Sequence, residues 1–182
     1  MLNLPNRLTI LRIFLIPIIV YLIYLNTNTT NLIALICFII AGLSDFFDGY
    51  LARKYSLTSD FGTMLDPIAD KLLVILVGIV LCYRGDISGI NLLPLLLIIS
   101  REVFISGLRE FLAQGNKKIT IPVSNLGKYK TAFQMLALIL LILNPIISTS
   151  LIFIEVSGIL LLWIASILSV LSGYQYYRNV FN

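Results

Sequence analysis

Ionisable side chains set between long apolar runs constrain this chain more than any other feature of it. From residue 45 to residue 70 it reads DFFDGYLARKYSLTSDFGTMLDPIAD, flanked on both sides by runs long enough to cross a bilayer. A carboxylate at membrane depth is costly and by default marks a functional site, which makes Asp45, Asp48, Asp66 and Asp70 candidate site residues. At about 100° per residue, Asp45, Asp48, Gly49, Ala52 and Arg53 share one helix face. Gly62, Asp66 and Asp70 share another at steps of four. Each polar stripe carries a glycine, where a backbone or a ligand can approach closely. The two stripes are expected to face each other.

Ionised carboxylates packed together repel and shift toward protonation unless cations sit among them. Two divalent ions would balance the four aspartates. An all-oxygen donor set in a chain without histidine suits the hard ions Mg²⁺ or Mn²⁺. A pair of such ions is apparatus for phosphoryl chemistry, since it clamps oxygens around the reacting phosphorus and draws charge off the leaving group. The bland alternative, in which the carboxylates only cap or pair in an interfacial loop, does not account for so regular a spacing.

With 59% hydrophobic residues in 182 and a mean hydropathy of +0.99, the chain is too apolar for a soluble domain and is expected to be one membrane domain over 1–182. Cys37 and Cys82 lie in apolar runs without CxxC spacing and read as packing residues. Arg7 and Arg12 precede an apolar run of spanning length with no small-residue cleavage site, so a cleavable signal is not expected. Six apolar segments can be drawn, at 6–25, 32–52, 62–83, 91–113, 128–147 and 150–175. The fold class is therefore all-α, an integral membrane bundle of six transmembrane helices. Basic residues gather at Arg7 and Arg12, Arg53 and Lys54, Lys117 to Lys128, and Arg178, whereas the stretches 26–31 and 144–150 have none. By the positive-inside rule both termini and the carboxylate site are cytoplasmic.

Two later segments add cations. SREVFISGLRE places Arg101, Glu102, Arg109 and Glu110 in or beside segment four, either paired internally or docking an anionic acceptor through guanidinium forks. GKYKTAFQ opens segment five with Gly127, Lys130, Thr131 and Gln134 on one face and Lys128 at its flank. Headgroup anchoring would not require Thr131 and Gln134 another turn in. Arg101, Arg109, Lys128 and Lys130 are thus candidates for binding an acceptor phosphate. Segment six carries no site signal, and Tyr174, Tyr176, Tyr177 and Arg178 read as an interfacial anchor.

The pattern DxxDGxxAR, eight residues, then GxxxDxxxD is met without mismatch, and at these residues the chain resembles the CDP-alcohol phosphatidyltransferase family of integral membrane enzymes. The resemblance implies that a CDP-linked lipid, CDP-diacylglycerol, places its pyrophosphate on the metal ions while an alcohol attacks the lipid-bearing phosphorus and CMP leaves. It implies Asp70 as the base, Asn6 and Thr9 of the PNRLT segment and Ser59 in the nucleotide pocket, and a homodimer. Gly49, Ala52, Arg53 and Gly62 complete the expected CDP-lipid site with Asp45. GKxKTxxQ resembles the branch that uses glycerol 3-phosphate, and the four basic residues favour that acceptor over a neutral one. Phosphatidylglycerol and inositol phosphate are the alternatives within the family, and a cation transporter is the alternative outside it. Compact size and the lack of a hydrophilic domain point to a bacterial cytoplasmic membrane.

Overall fold

The structure, a computed structural model, describes residues 4–55, 60–114, 125–147 and 152–181, with side chains described over 9–44, 62, 64–112, 126–147 and 152–181. The described residues form six α-helices, a short 3₁₀ turn (Gly89–Asn91) leading into the fourth, and no strand: α1 (Leu4–Leu25), α2 (Asn28–Tyr55), α3 (Asp60–Arg84), α4 (Leu92–Gln114), α5 (Asn125–Leu143) and α6 (Ile152–Phe181). All-α organisation therefore agrees with the hydropathy reading. The segment starting Gly89 and ending Leu112, together with Leu126–Leu143 and Ile152–Phe181, is long and apolar enough to cross a bilayer; Thr9–Leu25 and Asn28–Ser44 are shorter apolar stretches. These long helices mark a membrane protein.

Local chemistry sets the helix ends. Thr27 caps α2 through its Oγ1, which accepts the Thr30 N–H at 3.2 Å, while Thr30 Oγ1 accepts the Thr27 N–H at 3.0 Å. This reciprocal box, with threonine where glutamate is usual, starts α2 four residues before the apolar run. Gly85, at φ +93°, closes α3: its N–H reaches the Cys82 carbonyl at 3.1 Å and the Asp86 N–H reaches that of Leu81 at 3.1 Å, a Schellman stop. Pro145 follows the end of α5, where no backbone N–H is available to extend the ladder.

The core runs through the bundle centre, with Ile16, Ile19 and Ile23 of α1, Phe38 of α2, Leu81 of α3 and Leu138, Leu141 and Ile142 of α5 fully or nearly fully buried. Helix α1 lies against both α2 and α3, α5 against α6, and α4 against α6. The buried face of α6 is made mostly of small residues, Gly158, Ala165, Ser166, Ser169, Ser172 and Gly173, which together with Leu162 recur at three- and four-residue steps. A Cβ on Gly158 would stand 3.0 Å from Leu141, so glycine lets α5 and α6 approach this closely. Outward-facing positions such as Phe14, Ile18, Ile36, Leu96, Leu160 and Val170 are large, apolar and exposed. An apolar core inside an apolar exterior is what a lipid solvent requires, because backbone satisfaction and packing replace polar exposure.

Far from the carboxylates, Arg84 ties α2, α3 and α5 together. Its guanidinium pairs with Asp86 and donates to Asn31 Oδ1 at 3.0 Å and to the Leu141 carbonyl at 2.9 Å, and Asn31 in turn donates to Asn26 Oδ1 at 3.1 Å. The Arg84–Asp86 connection is neutral in charge, and its cation is consumed internally.

Candidate active site

The site is built where α1 crosses α3. Thr9 and Arg12, one turn apart on α1, meet Asp66 and Asp70, one turn apart on α3. Thr9 Oγ1 donates to Asp66 Oδ1 at 2.5 Å, and Arg12 Nη1 donates to Asp70 Oδ1 at 2.8 Å. Arg12 also points its Nε at Ser44 Oγ, 3.5 Å away on α2, and Ser44 Oγ donates to the Ala41 carbonyl at 2.8 Å. Arg12 is 0% exposed and the Asp70 side chain 49% exposed. The guanidinium therefore anchors one carboxylate oxygen from behind while the carboxylate opens forward. A buried arginine in a bilayer needs such an anionic partner.

Asp70 opens onto a cavity of about 170 Å³ between α2, α3, α4 and α5, whose polar lining is Asp70, Lys71, Glu102, Lys130, Thr131 and Gln134. Lys130, buried on α5, forms an ion pair with Glu102 of α4. The same Glu102 oxygen lies 3.6 Å from Arg101 Nη1, and Arg101 Nη2 donates to Ser172 Oγ of α6 at 3.1 Å. Two cations thus share one carboxylate, an arrangement that fixes both heads at the cavity edge. Gly173 lets the Arg101 stem pass over α6, since a Cβ there would sit 3.2 Å from Arg101 Cγ. Thr131 Oγ1 donates to the Gly127 carbonyl at 3.1 Å.

Of the four basic residues picked out by spacing, Lys130 lines the cavity and Arg101 adjoins it through Glu102. Arg109 and Lys128 are exposed; the Arg109 guanidinium lies 5.3 Å from the Tyr176 ring centroid, a cation–π contact with α6. Internal pairing with Glu102 is therefore real for Arg101 and Lys130. Gly62 is buried on α3. Asn6, Asp45, Asp48, Gly49, Ala52 and Arg53 have described helical backbones but lie outside the described side chains, and Ser59 lies outside the described residues. Among the described residues no group of three or more carboxylate, histidine or cysteine side chains converges on a metal position.

Lys71 and Ser172 were not singled out by spacing. The rule that flagged Asp70 flags its neighbour Lys71 as well, a cation inside an apolar run. Ser172 carries no such signal, because a serine on a small-residue helix face reads as packing until the opposite helix presents an arginine.

A family model for CDP-alcohol phosphatidyltransferase matches residues 2–171. The chain is 47% identical over 176 residues to the CDP-diacylglycerol–glycerol-3-phosphate 3-phosphatidyltransferase of Rickettsia typhi, covering 97% of this chain and 96% of that one. It is 40% identical to the protein of the same name from Haemophilus influenzae, over 96% of this chain and 91% of the relative. The corresponding Salmonella choleraesuis protein is 39% identical, with 96% and 92% covered.

Proposed function

The chain belongs to the CDP-alcohol phosphatidyltransferase family, and on that premise we propose that it transfers the phosphatidyl group of CDP-diacylglycerol to glycerol 3-phosphate, releasing CMP. The observation that carries this reading is that Asp70 and Lys130 open onto one cavity. A proton acceptor and a phosphate-binding cation sharing a cavity suit an acceptor with a phosphate at one end and a nucleophilic hydroxyl at the other. In the reaction, the primary hydroxyl oxygen bonds to the phosphorus that bears diacylglycerol, the bond from that phosphorus to the CMP oxygen breaks, and the hydroxyl proton passes to Asp70. Arg12 holds the other side of Asp70, so the carboxylate is oriented before substrate arrives.

The donor set suits the family's requirement for divalent cations: four aspartates, no histidine, and Asp66 and Asp70 one turn apart on α3 with α1 fixing one oxygen of each. Asp45, Asp48, Asp66 and Asp70 would hold two Mg²⁺ or Mn²⁺ ions, which when bound neutralise the pyrophosphate and the departing CMP. Asn6, Thr9, Gly49, Ala52, Arg53, Ser59 and Gly62 would form the CDP-lipid site around them. Lys130 and Arg101 take the acceptor phosphate, with Arg109 and Lys128 drawing anions to the entrance. Six membrane spans, cytoplasmic termini, a site facing the cytosol of a bacterial cell and a homodimer complete the proposal.

The test is product analysis: purified protein in detergent with CDP-diacylglycerol, Mg²⁺ and labelled glycerol 3-phosphate should move label into an organic-phase phosphatidylglycerophosphate. Label that stays in the aqueous phase, with folded protein and intact donor, would refute the reading.

A further inference from the structure

The side-chain oxygen of Gln134 stands out within the cavity. Gln134 is 3% exposed, and its Oε1 finds no hydrogen-bond partner among the described residues. Of the buried side-chain atoms that lack a partner among the described residues, Arg101 Nε, Gln134 Oε1 and Ser169 Oγ, only the glutamine belongs to a residue lining the cavity. A buried amide oxygen left without a donor costs free energy, and its place beside a cavity assigns it a donor from the ligand. A simple packing position on α5 would favour leucine or methionine. Lys130 lies one turn before Gln134 on the same face, and Asp70 faces the same space from α3.

We infer that Gln134 is a specificity-determining residue whose Oε1 accepts the hydrogen of the acceptor's non-reacting secondary hydroxyl. The inference rests on the proposed acceptor reading. With the phosphate on Lys130 and the reacting primary hydroxyl at Asp70, the carbon between them bears one further hydroxyl, and Gln134 is the cavity residue with an unmet acceptor. The bond fixes the rotation of the three-carbon chain and presents the primary hydroxyl to Asp70. A site built to bond a hydroxyl rejects an analogue lacking it, because its own polar atom is then left unpaired.

The test compares glycerol 3-phosphate with 3-hydroxypropyl phosphate, which keeps the phosphate and the primary hydroxyl but lacks the secondary one. Full-length wild type should favour glycerol 3-phosphate by about 10- to 100-fold in kcat/KM. In Gln134→Met, near-isosteric and apolar, the preference should shrink to within about threefold because turnover of glycerol 3-phosphate falls. Thermal stability should hold or rise, since no bond made in the free protein is lost. Gln134→Ala, carried in parallel, should show the same convergence. Equal losses for both acceptors, a preference that survives both substitutions, or a wild type indifferent to the secondary hydroxyl would overturn the inference. A wild type that releases CMP with neither phosphate acceptor overturns the acceptor reading, and this inference with it.

Discussion

Arg12 and Asp70 carry the chemistry of the site jointly. Asp70→Asn keeps an oxygen for Arg12 to bond but cannot take a proton, so kcat should fall by roughly 10²- to 10⁴-fold while CDP-diacylglycerol binding persists. Single-turnover kinetics beside a lipid-binding assay would separate the two effects. Lys130→Met removes the phosphate-facing charge and should raise the KM for glycerol 3-phosphate about 10- to 100-fold with little change in that for the lipid donor. Chelation should abolish turnover, and Mg²⁺ or Mn²⁺ should restore it, as followed by CMP release. The aspartates were legible in the sequence because a carboxylate in apolar surroundings stands out and their spacing fits a helix. Arg12 was ambiguous, since an arginine near a helix start is as consistent with snorkelling as with burial until α3 supplies Asp70.

Helix α6 acts at the level of the element. Its small-residue face lets α5 approach and supplies Ser172 and Gly173 as the seat of Arg101. Gly158→Leu should overpack the α5 contact and destabilise the fold by about 1–3 kcal/mol, with Gly158→Ala milder because it adds a single methyl against Leu141 Cδ2 and Cγ, each 3.0 Å away. Thermal unfolding in detergent would rank the two. Gly173→Val should push Arg101 off Ser172 and raise the acceptor KM more than it lowers stability, a contrast that kinetics and melting together reveal. Helix existence was readable from hydropathy, but its limits were not. Helix α2 starts at Asn28 because Thr27 and Thr30 cap it, and α6 continues to Phe181 through a tyrosine-rich turn that is polar by composition yet helical in form. Hydropathy reports where lipid fits; capping chemistry reports where a helix stops.

Across the whole molecule, polar groups divide into two ends with different work. One end holds Asp70, Lys71, Glu102 and Lys130 around the cavity, with Asp66 a turn before Asp70 on α3, and the other holds the Arg84, Asp86, Asn31 and Asn26 clamp between helices. Arg84→Ala should leave Asp86 and the Leu141 carbonyl without their donor and lower thermal stability by about 2–4 kcal/mol, with acceptor KM nearly unaffected. Apart from the two aspartate stripes, which helix neighbours which could not be read from spacing, because the remaining helix faces offer lipid and protein the same apolar side chains. Only the contacts reveal that α1 lies against α3 and that Arg101 crosses to α6. The central claim is phosphatidyl transfer to glycerol 3-phosphate at Asp70. Its most direct test is CMP release from CDP-diacylglycerol and Mg²⁺ with glycerol 3-phosphate, inositol phosphate, serine or phosphatidylglycerol offered separately to wild type and Asp70→Asn. Release by wild type with glycerol 3-phosphate alone, lost in Asp70→Asn, is the expected result; release with a different acceptor, or undiminished release by Asp70→Asn, would contradict it.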